Sequence, residues 1–246
     1  MSDLAGKRAL VTGASRGIGA AIALALAERG ADVAITYERS AERAAEVVRA
    51  IESKGRRGLA IQADSADAAA VKRSVDAAAA ELGGLDILVN NAGIARGGPV
   101  AEITLADIDA LLALNVRSVV LASQAAIPHL GKGGRIISIG SCLGERVPFP
   151  GVTVYSMTKS ALLSFTRGLA RELGPQGITV NLVQPGSTDT DMNPSGGAQS
   201  DLQRSMTALG HYGKSEDIAA AVAFLASPAA RQITGTTLTV DGGANA

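Results

Sequence analysis

The chain of 246 residues has one cysteine and two histidines. Cys142 has no internal partner for a disulfide, and with two histidines it cannot complete a four-ligand structural zinc site of the usual kind. No metal is expected, and a reducing, cytoplasmic setting is. An excess of charge of one sign is also missing, since 23 basic residues balance 23 acidic ones and no basic block is longer than the pair Arg56-Arg57. That composition disfavours nucleic acid as a partner. No eighteen apolar residues run together, and the first ten residues carry Asp3, Lys7 and Arg8 without an apolar signal core. Neither a membrane partner nor a targeting segment is expected. Ser141 stands in Ile139-Gly140-Ser141-Cys142-Leu143, which lacks the second glycine of a nucleophile elbow. With only His129 and His211 as bases, a serine-histidine hydrolase is disfavoured. His129 reads as a partner for a helix end and Cys142 as a bystander thiol.

What is present is an ample core, with 47% hydrophobic residues, in a length that suits one large α/β domain. Seven short apolar runs, at 9–11, 33–35, 59–61, 87–89, 136–139, 178–183 and 236–240, alternate with longer alanine-rich stretches. Ala41, Ala44, Ala45, Val48 and Ile51 recur at helical spacing, as do Ile218, Val222 and Leu225. Continuous apolar strands separated by helices predict a single doubly wound, Rossmann-type domain over 1–246 with a seven-stranded parallel sheet. Residues 187–210 break the rhythm with Ser, Gly, Asp and Thr, and read as a substrate lid.

The first run leads into Thr12-Gly13-Ala14-Ser15-Arg16-Gly17-Ile18-Gly19, after which helical periodicity begins. Glycines let a backbone turn tightly and approach a pyrophosphate, whose charge is favoured at a helix start. Farther on, Tyr155 and Lys159 stand four residues apart, which on a helix puts a phenol and an ammonium on one face. A free tyrosine titrates near ~10. A neighbouring Lys159 is expected to favour its phenolate and make it a usable acid. Ser141 is expected to hydrogen-bond a substrate carbonyl, while Ser138, inside an apolar run, reads as a buried hydrogen-bonded hydroxyl.

These motifs, together with Asp64 after the third run, Asn90-Asn91-Ala92-Gly93 after the fourth, Asn115 on the next helix and Pro185-Gly186 after the sixth, resemble the short-chain dehydrogenase/reductase family over essentially the whole chain. Within it the chain resembles the ketoreductase branch related to 3-oxoacyl carrier protein reductases. The resemblance implies a dinucleotide held by Gly13, Ser15, Arg16, Gly17, Ile18 and Gly19. It further implies Asp64 and Ser65 at the adenine, Asn91, Ala92 and Gly93 along the cleft with Asn90 in support, and Pro185, Gly186, Thr188 and Thr190 near the nicotinamide. Tyr155 and Lys159 would touch the cofactor as well as act in catalysis, and Asn115 would hold a water linking Lys159 to solvent. A homotetramer built through the central helices and the last strand and helix is implied too, and the alanine-rich stretch 107–126 would permit close helix packing.

A carboxylate at the end of the second strand would select a free ribose hydroxyl, and here the position is Tyr37. Arg16 and Arg39 can reach a 2′-phosphate, with Ser40 as a neutral donor, so NADP is expected over NAD. Glu38 argues for NAD if its side chain turns inward. The expected reaction is reduction of a ketone, free or as an acyl thioester, with Tyr155 as general acid. Two alternatives share the scaffold: a nucleotide-binding regulator without turnover, and a dehydratase or epimerase using Glu145 or Asp189.

Overall fold

The computed structural model describes residues 2–246. Seven strands, β1 (Arg8–Val11), β2 (Asp32–Tyr37), β3 (Gly58–Gln62), β4 (Ile87–Asn90), β5 (Arg135–Ile139), β6 (Thr179–Pro185) and β7 (Thr237–Val240), form one sheet in the order β3-β2-β1-β4-β5-β6-β7. Every pairing is parallel. Each sequence run expected to be a strand is one: the five central strands are largely apolar because both their faces are covered, while the edge strands β3 and β7 leave Ala60, Gln62 and Thr239 exposed. Successive side chains alternate between faces. Ala9, Val11, Val33 and Ile35 join the core on one side with Ile22, Leu26 and Val222, while Leu10 and Ala34 join the other with Val75, Ala126 and Leu173.

Helices α1 (Gly17–Glu28), α2 (Ala41–Glu52) and α3 (Ala68–Leu82) make the first crossovers. α4 (Leu105–Leu112) runs through a π-helical turn at Ala113–Arg117 into α5 (Ser118–Ala126), and α6 (Thr153–Leu173), α7 (Ser200–Ser205) and α8 (Ser215–Ala226) follow. α1 packs on α8 and α3 on α5, so both faces of the sheet are covered. The chain winds outward from β1 to β3 and then restarts at β4 on the other side of β1. The loops leaving β1 and β4 therefore part company, and a crevice opens at their carboxyl ends.

The helix from Leu105 to His129 has a mean hydropathy of 1.6 in its most apolar window, long and apolar enough by length and composition to cross a membrane. Here it carries Ala122, Ala125 and Ala126 into the core. Residues 187–210 are more ordered than a simple loop. They hold α7, and Gln203 on it accepts from Ser187 Oγ at 2.7 Å and from Asn193 Nδ2 at 2.8 Å. Six residues are too few to announce a helix by periodicity.

Candidate active site

The turn after β1 is shaped by backbone needs. Gly13 and Gly17 have φ of 63° and 54°, a region that favours glycine. At Gly19 a Cβ would stand 2.4 Å from Asn91 Nδ2, and at Gly13 one would stand 2.8 Å from Ala92 Cα. The turn is thus pressed against the β4 loop. Thr12 and Asn91 join the two: Asn91 Nδ2 donates to the carbonyls of Thr12 and Gly13 at 2.9 Å each, and Thr12 Oγ1 accepts from the amides of Asn91 and Ala92. Thr36 Oγ1 accepts from Gly13 N at 2.9 Å. Thr12 and Thr36 are braces that the sequence reading did not single out, although both flank motifs it used. Helix α1 starts from Arg16 in extended conformation, with no side chain capping its first turn. Its end is suited to an anion.

A cleft of about 780 Å³ runs from this turn to Tyr155. Its wall includes Gly13, Ser15, Arg16, Gly17, Ile18, Gly19, Tyr37, Arg39, Ser40, Ser65, Asn91, Ala92 and Gly93, and at the other end Ser141, Tyr155, Lys159, Pro185, Gly186, Thr188 and Thr190. Two expected site residues lie off the wall. Asp64 is exposed and its Oδ1 accepts from Ala66 N at 2.8 Å, an Asx turn that spends the carboxylate locally, while Ala63 and Ser65 on either side line the cleft. Asn115 is buried behind the wall. Its Oδ1 accepts from Ile94 N at 2.9 Å, and its Nδ2 donates to Ile94 O at 2.9 Å and Thr158 Oγ1 at 3.1 Å. The side chain thus ties the β4 loop to α6.

At the catalytic end Ser141 caps a short turn, with Oγ accepting from Leu143 N at 3.2 Å. Burial holds the Tyr155 hydroxyl above its ordinary pKa, a hydrogen bond with Ser141 opposes this, and the Cys142 thiol adds to the rise. Lys159 is buried, and burial brings its ammonium down to about 8. Nζ donates to Ile139 O at 3.0 Å and lies 5.9 Å from the Tyr155 ring centroid. The expected lowering of Tyr155 by Lys159 is not found: the opposing effect comes from Ser141, and desolvation outweighs it, which keeps the phenol protonated at neutral pH.

Other expectations sort cleanly. Ser138 is buried and takes a bond from Asn90 Nδ2 at 3.3 Å. Asn90 Nδ2 also donates to Ser123 Oγ at 3.1 Å, so it faces two buried serines rather than the cleft. Burial raises the Cys142 thiol to about 11, which suits an inert neighbour. His129 pairs with Asp76 at 3.0 Å, and neither His211, Glu145 nor Asp189 lines the cleft. Glu38 does line it, and binds Arg39 Nε at 2.8 Å. Ala244 and Asn245 close the substrate end, fixed by Arg146 donating to Ala244 O and Asn245 Nδ2 donating to Cys142 O, each at 2.8 Å. Nothing in the local sequence pointed to that tail. Among the described residues no group of three or more metal-ligating side chains occurs.

A dinucleotide suits this wall, since its glycine turn leaves no space for a side chain and its helix start has no capping side chain. Residues 13–245 match the family model described as enoyl-(acyl carrier protein) reductase. A short-chain dehydrogenase from Burkholderia cenocepacia J2315, solved with NADP, is 64% identical and superposes with a TM-score of 0.98, covering 99% of this chain and 100% of its own. The 3-oxoacyl-[acyl-carrier-protein] reductase FabG of Staphylococcus aureus (strain Mu50) is 43% identical over 96% of this chain and 97% of its own. The cyclic-di-GMP-binding biofilm dispersal mediator protein of Escherichia coli (strain K12) is also 43% identical, over 98% of each chain. The chain belongs to the short-chain dehydrogenase/reductase family of oxidoreductases.

Proposed function

We propose that the protein reduces a ketone to a secondary alcohol with NADPH, using Tyr155 as the proton donor. The observation that carries this reading is the meeting of the Ser141 and Tyr155 hydroxyls beside buried Lys159 on the cleft wall. Two neighbouring hydroxyls on one cleft wall can both donate to an oxygen atom, which has two lone pairs to receive them, and suit it better than a carbon–carbon double bond. When bound, reduced nicotinamide supplies the hydride. Ser141 and Tyr155 then hold the carbonyl oxygen, and as negative charge develops there the Tyr155 O–H bond breaks and its proton passes to that oxygen. The resulting phenolate is stabilised by Ser141 and by the Lys159 cation. In this reading Lys159 also grips the cofactor, and Pro185, Gly186, Thr188 and Thr190 border its reactive end. Arg16, Arg39 and Ser40 serve the 2′-phosphate, and solved relatives holding NADP and NADPH support that choice of cofactor.

The substrate is a free ketone or an acyl thioester, admitted between residues 187–210 acting as a lid and the segment 143–152. The protein works as a cytoplasmic homotetramer. NADPH consumption over a panel of ketones tests the reaction, with Tyr155→Phe as control. The substitution is expected to lower turnover by about 10²- to 10⁴-fold, and turnover surviving it rejects the assigned acid. A second reading, a nucleotide-binding regulator, draws support from the Escherichia coli relative's name. Dinucleotide binding without turnover on any ketone would favour it.

A further inference from the structure

We propose that Asp191 competes with the cofactor's 2′-phosphate for the arginines at the adenosine end of the cleft, and so sets how strongly the protein prefers a phosphorylated dinucleotide. The proposal rests on the NADP reading above. Asp191 lies in the segment after β6, yet its Oδ2 accepts from Arg43 Nη1 at 2.6 Å and from Arg16 Nη1 at 3.1 Å. Those bonds, with Arg43 the larger cause, hold its carboxyl below the usual range. Arg16 and Asp191 both line the cleft. Next to Asp191, Thr190 Cγ2 lies 3.5 Å from where a Cβ on Gly17 would stand, so the segment crosses the glycine turn at this point.

The third arginine at that end is also held by a carboxylate, since Arg39 pairs with Glu38. A 2′-phosphate therefore meets cations that are already neutralised. It has to draw Arg16 away from Asp191, and while Asp191 stays it repels the incoming charge. A dinucleotide without that phosphate makes no claim on Arg16 and meets much less repulsion. Arg43, on the first turn of α2, is the partner that draws Asp191 aside. By linkage, a bound 2′-phosphate must in turn loosen the tie between this segment and the glycine turn.

All three side chains are about half exposed, so solvent limits the size of the effect. Fluorescence titration of NADPH and of NADH into wild type, Asp191→Asn and Arg43→Ala at low salt tests the idea. Asp191→Asn is expected to tighten NADPH about two- to fivefold and to leave NADH within about twofold. Arg43→Ala is expected to weaken NADPH, and both shifts should shrink at high salt. Weaker NADPH binding in Asp191→Asn, or equal shifts for both dinucleotides, overturns the proposal. If wild type binds NADH more tightly and Arg16→Ala leaves NADPH unchanged, the NADP reading falls as well. That pattern differs from failure of the competition alone, in which wild type still prefers NADPH.

Discussion

Lys159 is a buried cation whose ammonium is held at about 8, against 10.5 for a free lysine, by desolvation. The unfolded chain keeps that proton up to 10.5, while the folded chain releases it near 8. Between those values the unfolded state carries more protons, so this group's contribution to stability rises with pH. Below about 8 both states are charged and the whole burial penalty stands, and above 10.5 it is gone. The separation corresponds to about 3 kcal/mol. Lys159→Met should lose that rise. Urea midpoints of both proteins, taken without dinucleotide at pH 7.5 and pH 10, are expected to show the variant losing ground to wild type as pH increases. Parallel behaviour at the two pH values would mean that the lysine is not desolvated as the structure places it. Residues such as Tyr155, Lys159, Ser141 and the glycines could be read from sequence because their chemistry depends on local spacing. Asp191 and Arg43 could not, since they lie 148 positions apart and each alone resembles a solvated charge.

The π-helical turn between α4 and α5 shows an element bent to the needs of the site. Its i to i+5 bonding makes one turn wider than the α-helical turns beside it, and Asn115 sits within it. There the side chain closes a two-bond ring with the backbone of Ile94 and adds a third bond to Thr158 on α6. Gly93 is packed close by: a Cβ there would stand 3.0 Å from Asn115 Oδ1 and 3.6 Å from Lys159 Nζ. Asn115 therefore ties the β4 loop to α6 beside Lys159. Asn115→Ala removes three buried bonds and is expected to cost about 2–4 kcal/mol of stability, read as a lowered urea midpoint. A merely structural role would leave the pH dependence of turnover unchanged. A positioning role should shift that dependence. The parallel sheet was legible because both-sided burial writes each central strand as an apolar run. The π turn was not, since Ala113 to Arg117 has the composition of an ordinary helix.

For the molecule as a whole, the same wide turn bears on assembly. Leu105, Leu112 and Val120 are exposed by 72%, 38% and 40%. Leu105 and Leu112 are seven apart, two α-helical turns, and share one side of the helix. Val120 is eight beyond Leu112, which in a regular helix would rotate it away by most of a quarter turn. The extra residue accommodated by the π turn brings it back toward the same stripe. Met157 on α6, the neighbour of α4, is exposed by 51%. An apolar stripe kept in phase across an irregular turn is the surface expected of a helix that packs against another copy, and it suits the tetramer proposed above. Sedimentation of wild type should then give the mass of four chains. Val120→Glu, which sets a charge at the α5 end of the stripe without touching the cleft, should lower that mass. A wild-type mass of one chain refutes the assembly, whereas four chains in both proteins would place the contact on another face, such as that of Phe224 on α8, which is exposed by 40%.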